Sequence, residues 1–121
     1  MKLGFVSAIL PDLDLQGVAQ FAAAEGFDCV ELMCWPVRKA ERKYAGVTHV
    51  DVTDLSRARM DEVRGVLQAN GIAISGLGFY PNPLDPDPAV ARAAVSHIRK
   101  VIVGAEKLGV KAYASGEELI D

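Results

Sequence analysis

Glu31 is the residue with the plainest chemical potential in this chain, a carboxylate set inside the apolar run Cys29-Val30-Glu31-Leu32-Met33. On a strand, side chains alternate between faces. If Val30 and Leu32 turn toward an apolar layer, Glu31 turns the other way, into an interior or toward the strand's carboxyl end. Desolvation there raises a carboxyl pKa unless a cation pairs with it. Two readings stand side by side: a group that binds a substrate hydroxyl or works near a metal, and a buried acid paired with Lys or Arg on a neighbouring strand.

Three further segments carry chemically capable side chains. After Glu31 comes Trp35, then a basic stretch of Arg38, Lys39, Arg42 and Lys43 around Glu41, then Thr48-His49-Val50-Asp51. The four cations suit an anion such as phosphate. No glycine-rich cradle accompanies them, so a solvated loop face is the simpler reading. His49 is a proton carrier or ligand by type, with an unperturbed pKa near ~6.5. Tyr80-Pro81-Asn82-Pro83 holds a phenol and an amide in a stiff turn, with proline on both sides of Asn82. His97 lies at helical spacing between Ala94 and Val101 and reads as a packed helix residue, while Met33 and Met60 read as core filler. The chain has no GxSxG, GxxxxGK[ST] or HExxH, and Gly76-Leu77-Gly78-Phe79-Tyr80-Pro81 fails as a dinucleotide loop because Pro81 stands at the third glycine.

The elements that must position these residues follow one repeated pattern. A helical segment ends in glycine plus a bulky apolar residue, and an apolar strand begins, at Glu25-Gly26-Phe27, Asn70-Gly71-Ile72 and Leu108-Gly109-Val110. Glycine just past a helix end takes the left-handed conformation cheaply. The predicted strands are Lys2 to Ser7, Asp28 to Met33, Ile72 to Phe79 and Val110 to Ala114. Their apolar character with little alternation suits a sheet covered on both faces. The first helix starts at Asp14 and presents Leu15, Val18 and Ala22, with Phe21 beside them. The second starts near Asp54 or Ser56 and presents Met60, Val63 and Leu67. The third starts at Asp87-Pro88, and its stripe runs Val90, Ala94, Val101, Ala105 and Leu108. Strands alternating with amphipathic helices argue an α/β fold with a parallel sheet and right-handed crossovers. The long connections, Cys34 to Thr53 and Tyr80 to Asp87, both follow a strand's carboxyl end, the edge that carries chemistry in α/β folds.

Composition narrows the function classes. The chain has 121 residues, 50% of them hydrophobic, with 13 Lys and Arg against 16 Asp and Glu. That supports a single domain over 1–121, argues against disorder, and lends nothing to a nucleic-acid partner. The run Leu3 to Leu10 is too short to span a membrane. Cys29 and Cys34 lie at an odd spacing that sends them to opposite faces of a strand, so no bridge is expected, and a reducing, cytoplasmic setting is the simplest expectation.

Several segments resemble a known family. Lys2-Leu3-Gly4-Phe5-Val6-Ser7 and Gly26-Phe27-Asp28-Cys29-Val30-Glu31-Leu32 are similar to the sugar phosphate isomerase/epimerase family, xylose isomerase-like TIM barrels grouped with the endonuclease IV superfamily. The segments 44–52 and 74–84 look like one bacterial branch of it. The resemblance implies a partial TIM barrel, three βα units plus a fourth parallel strand, about half of the ~250 residues of a closed barrel. It also implies a divalent metal (Mn²⁺, Mg²⁺, Co²⁺ or Zn²⁺) and proton transfer through an enediolate on a sugar or sugar phosphate. In such families the metal ligands come mainly from later strands, so the half barrel is expected to lack them and to be inactive alone. The DNA-repair branch uses a histidine at the end of strand three, where this chain reads Gly78-Phe79-Tyr80. The residues expected at a substrate mouth are Glu31, Trp35, His49, Tyr80 and Asn82.

Two other readings compete. One is a non-catalytic half-barrel module, or a truncated fragment, that self-associates through exposed barrel edges. The other is a free-standing flavodoxin-like open sheet, weakened by its four strands and lack of a phosphate loop.

Overall fold

The computed structural model describes residues 2–36, 47–80 and 84–110, and the backbone of 113–114. The chain runs β1 (Gly4–Val6), a 3₁₀ turn (Ser7–Ile9), α1 (Leu15–Ala24), β2 (Cys29–Met33), α2 (Arg57–Ala69), β3 (Ala73–Gly78), α3 (Pro88–Leu108) and β4 (Tyr113–Ala114). Asp14 caps α1 by accepting the Gly17 N–H at 2.8 Å, and Ser56 caps α2 through the Arg59 N–H. Asp87 caps α3 with Pro88 in the first turn. The choice left open between Asp54 and Ser56 thus falls to Ser56.

The three helix exits are alike. Gly26, Gly71 and Gly109 have φ of 77°, 69° and 73°. In each case the next residue donates its N–H to a carbonyl five positions back: Phe27 to Ala22, Ile72 to Leu67 and Val110 to Ala105. A left-handed residue is what lets the chain turn and satisfy that carbonyl, and glycine pays no Cβ penalty for it.

All four strands are parallel and lie in sequence order, β1-β2-β3-β4. A flavodoxin-like sheet reverses its order beside the first strand, so the simple sequential order excludes that reading. Leu15, Val18, Ala22, Val30, Leu32, Val63, Leu67, Leu77, Phe79, Val101 and Leu108 form one buried cluster between the helices and one face of the sheet. Each Val, Leu or Phe side chain buried there contributes about 1.5–3 kcal/mol relative to exposure. Val90, in the first turn of α3, departs from the expected stripe and is exposed. Periodicity fixes its direction on the helix but not whether anything lies opposite.

β1 is shorter than expected because Ser7 already leaves the ladder for the 3₁₀ turn. β3 carries an irregularity: Val30 is opposite Ile74 but Glu31 is opposite Gly76, which leaves Ser75 as an extra residue. Beyond it Leu77 and Phe79 face the helices, and Gly78 and Tyr80 take the other face.

Candidate functional site at the carboxyl edge of the sheet

The face of the sheet away from the helices is lined by small residues and remains open: Gly4, Ala73 and Ser75 are exposed, and Cys29 and Glu31 are half-buried. At its carboxyl end the Tyr80 hydroxyl donates a hydrogen bond to Glu31 Oε2. Glu31 therefore does point away from the apolar layer, and its observed partner is a phenol rather than Lys or Arg. Gly78 makes the pairing possible. A Cβ at that position would stand 2.8 Å from Glu31 Oε2, 2.9 Å from Met33 Sδ and 3.2 Å from the Tyr80 hydroxyl. Met33 thus belongs to the wall of this site; it is buried, as a core filler should be, but lies outside the helix-side cluster. Burial, then the hydrogen bond to Glu31 and the charge of that carboxylate, push the Tyr80 phenol above its usual pKa, so it remains a donor at neutral pH.

His49 sits differently from a substrate-facing group. It is 4% exposed, and both ring nitrogens are engaged within the chain. Nδ1 lies 2.7 Å from Ser7 Oγ, while Nε2 lies 2.9 Å from the Leu13 carbonyl and 3.1 Å from the Leu10 carbonyl. Two acceptors at Nε2 place the proton there, so Nδ1 accepts from the Ser7 hydroxyl. Ser7 Oγ in turn accepts the Met33 N–H at 2.9 Å, and the Met33 carbonyl accepts the His49 N–H at 2.8 Å. Burial lowers the His49 pKa, opposed by the two carbonyls and by the charge of Asp14. Asp51 does not join His49; its Oδ1 accepts from the Thr53 N–H and hydroxyl. Sequence spacing could not reveal the Ser7–His49 pair, whose members are 42 positions apart. The available signal was a serine closing an apolar strand, where a polar side chain replaces a ladder partner.

Trp35 packs edge-on against Phe79 at 4.9 Å, and Phe79 packs against His97 at 4.5 Å. His97 is buried on α3, as its spacing predicts, and its Nε2 donates to the Cys34 carbonyl at 2.7 Å. Trp35 therefore supports the mouth from the helix side, while its buried Nε1 has no hydrogen-bond partner among the described residues. Cys34 is buried, and its thiol donates to the Gly78 carbonyl. Burial first, and then the charge of Glu31, push that thiol up to about 12. Cys29 and Cys34 are both free thiols. Asn82 and the cations Arg38, Lys39, Arg42 and Lys43 lie outside the described residues.

The donor set does not make a metal centre. Among the described residues no three His, Cys, Asp or Glu side chains converge. Glu31 offers one carboxylate, already engaged by Tyr80, and the nitrogens of His49 are taken. The described part of the chain can anchor a polar ligand at Glu31 and Tyr80 but does not itself fit a divalent ion. Nor, among the described residues, is any helix long and apolar enough to cross a membrane.

Sequential parallel strands, helices on one face and a polar pair at the carboxyl edge of the other define part of a TIM barrel, its sheet not closed. A family model described as a xylose isomerase-like TIM barrel matches residues 19–118, and the chain belongs to that family. Among solved structures, a xylose isomerase domain-containing protein from Salmonella typhimurium is similar, with a TM-score of 0.59 at 18% identity. The alignment covers 93% of this chain and 35% of that one, so this chain spans about a third of that protein's length. Comparison with curated proteins gives no match.

Proposed function

We propose that the chain supplies the first quarter-turns of a sugar isomerase/epimerase-type barrel and that Glu31 and Tyr80 bind hydroxyl groups of a sugar or sugar phosphate at its mouth. The observation that carries this reading is the Tyr80–Glu31 hydrogen bond across the gap left by Gly78, on a face open to solvent. With the Tyr80 proton committed to Glu31, the phenol oxygen keeps a lone pair and the carboxylate keeps its other oxygen, so the pair presents two neighbouring acceptors, the complement of the two hydroxyl donors of a vicinal diol. Moving a carbon-bound proton through an enediolate needs further acid–base groups and, in the intact family, a divalent metal. Those groups would be supplied by residues other than the described ones, so the role assigned to this part of the chain is binding and orientation.

The test is ligand binding rather than turnover. A panel of ketoses, aldoses and their phosphates is titrated against the protein by calorimetry and ligand-observed NMR. Glu31→Gln and Tyr80→Phe should each weaken the best ligand by roughly tenfold, the loss of one hydrogen bond to a charged or polar group. Sugar binding that is indifferent to both substitutions would remove the pair from the site.

A second reading has its own observation. Among the described residues β1 and β4 are the two outer strands, each with one unpaired edge, and Leu3 and Ile9 near β1 and Val103 on α3 are exposed. Those features suit a module that associates through its edges.

A further inference from the structure

The carboxyl end of β2 is held in an unusual way. Met33 is the last residue of the strand, yet neither its N–H nor its carbonyl is satisfied by β1. The N–H goes to Ser7 Oγ at 2.9 Å. The carbonyl receives the His49 N–H at 2.8 Å and the Val50 N–H at 3.3 Å. The His49 ring then closes the circuit by accepting from Ser7 and donating to the Leu10 and Leu13 carbonyls. One residue, His49, thereby joins the β1–α1 connection, the end of β2 and the later part of the β2–α2 connection. Met33 Sδ is one of the atoms that crowd the Gly78 gap beside Glu31 and Tyr80.

We propose that Ser7 and His49 are the positioning pair of this site, in which neutral His49 locks the end of β2 and protonation releases Met33 and the wall it forms beside Glu31. The lock depends on the tautomer. A second proton must go to Nδ1, which then donates and cannot accept from Ser7. The Ser7 hydroxyl, still accepting the Met33 N–H, would then face a donor and have to find another acceptor in a buried setting. The charged group acting on the ring is Asp14, at the cap of α1, which favours the protonated form; Ser7, Leu10, Leu13 and Met33 are neutral. Asp14 is itself occupied by the Gly17 N–H at 2.8 Å. Burial outweighs these attractions and holds the ring neutral at physiological pH. In counting Met33 as the wall of a binding site this inference rests on the proposed function, but the linkage between His49 and Met33 stands or falls separately.

The experiment is an NMR titration of the full chain between pH 8 and pH 5, following the imidazole nitrogens of His49 and the ε-methyl of Met33, one of three methionines. The expected result is an Nε2–H tautomer, a His49 midpoint below its ordinary value near ~6.5, and a Met33 methyl shift with the same midpoint. Fluorescence of Trp35, the chain's single tryptophan, gives a second reading, because its carbonyl accepts the hydroxyl of Thr48, the neighbour of His49. His49→Gln should abolish the Met33 transition, and Ser7→Ala should raise the His49 midpoint by freeing Nδ1. An Nδ1–H tautomer, a midpoint at or above the ordinary value, or a Met33 methyl that stays still while His49 titrates in the unsubstituted chain would each overturn the proposal. Sugar binding is measured in parallel: its absence alongside intact co-titration counts against the proposed function and leaves the lock standing.

Discussion

At the scale of single residues, the two cysteines offer the sharpest contrast. Cys29 is half-buried on the open face, whereas Cys34 is buried, hydrogen-bonded to Gly78 and pushed up to about 12. Since the thiolate is the reactive form, iodoacetamide at pH 8 should label Cys29 in the native protein and reach Cys34 only on unfolding. Mass spectrometry after cleavage at Glu31, which separates the two cysteines, reads this directly, and equal native labelling would contradict the burial of Cys34. His49 sets a pH dependence of stability. Its folded pKa is lowered, so below the unfolded value near ~6.5 the unfolded chain binds more protons than the native one. The contribution of His49 is therefore complete above that value and lost as pH falls toward and through the folded pKa. Urea midpoints should drop on acidification across that window, and the part of the drop due to His49 should vanish in His49→Gln. Gly78→Ala tests the crowded gap. A Cβ placed 2.8 Å from Glu31 Oε2 and 2.9 Å from Met33 Sδ forces both aside, which should cost about 1–3 kcal/mol in stability and abolish sugar binding.

At the scale of elements, the helix exits and caps can be tested without touching the site. A Cβ at Gly109 would meet nothing within 4 Å, so Gly109→Ala isolates the cost of φ = +73° and should destabilise by about 1 kcal/mol. Ser56→Ala, which removes the acceptor for the Arg59 N–H, should cost a similar amount, about 1 kcal/mol. Chemical denaturation reads both. These features were legible in the sequence because each is local: Asp14, Asp87-Pro88 and the three glycines sit within a turn of the groups they satisfy. The outward turn of Glu31 was legible too, since alternation with Val30 and Leu32 decides it. His49 was not, because a loop position carries no period and its partner Ser7 comes from the distant 3₁₀ turn after β1. Nor was the role of Met33, which shares its apolar type with the core but stands on the other face.

At the scale of the whole molecule, the open arc of four parallel strands has two unpaired edges among the described residues. Exposed Leu3, Ile9 and Val103 add apolar surface near them. Concentration-dependent association by light scattering is the expected behaviour of the chain in solution. A strictly monomeric, well-folded species at high concentration would argue against edge pairing. The same openness explains why the proposed function stops at binding. Among the described residues the open face presents the Glu31–Tyr80 pair, and in the proposed reading the groups that move a proton come from other residues.

The extra residue in β3 gives the mouth a tolerance to a change in chain length. Ser75 stands between the partners of Val30 and Glu31, so the pairs on either side of it, Val30–Ile74 and Glu31–Gly76, would become consecutive if its codon were lost. Side chains on a strand have a period of two, and the shortened ladder would be regular, with Phe79 still among Trp35 and His97 and Tyr80 still beside Glu31. A three-nucleotide deletion at Ser75 would thus leave the hydrogen-bonding mouth in place, whereas the same deletion in a strand without such a residue exchanges the faces of all that follows.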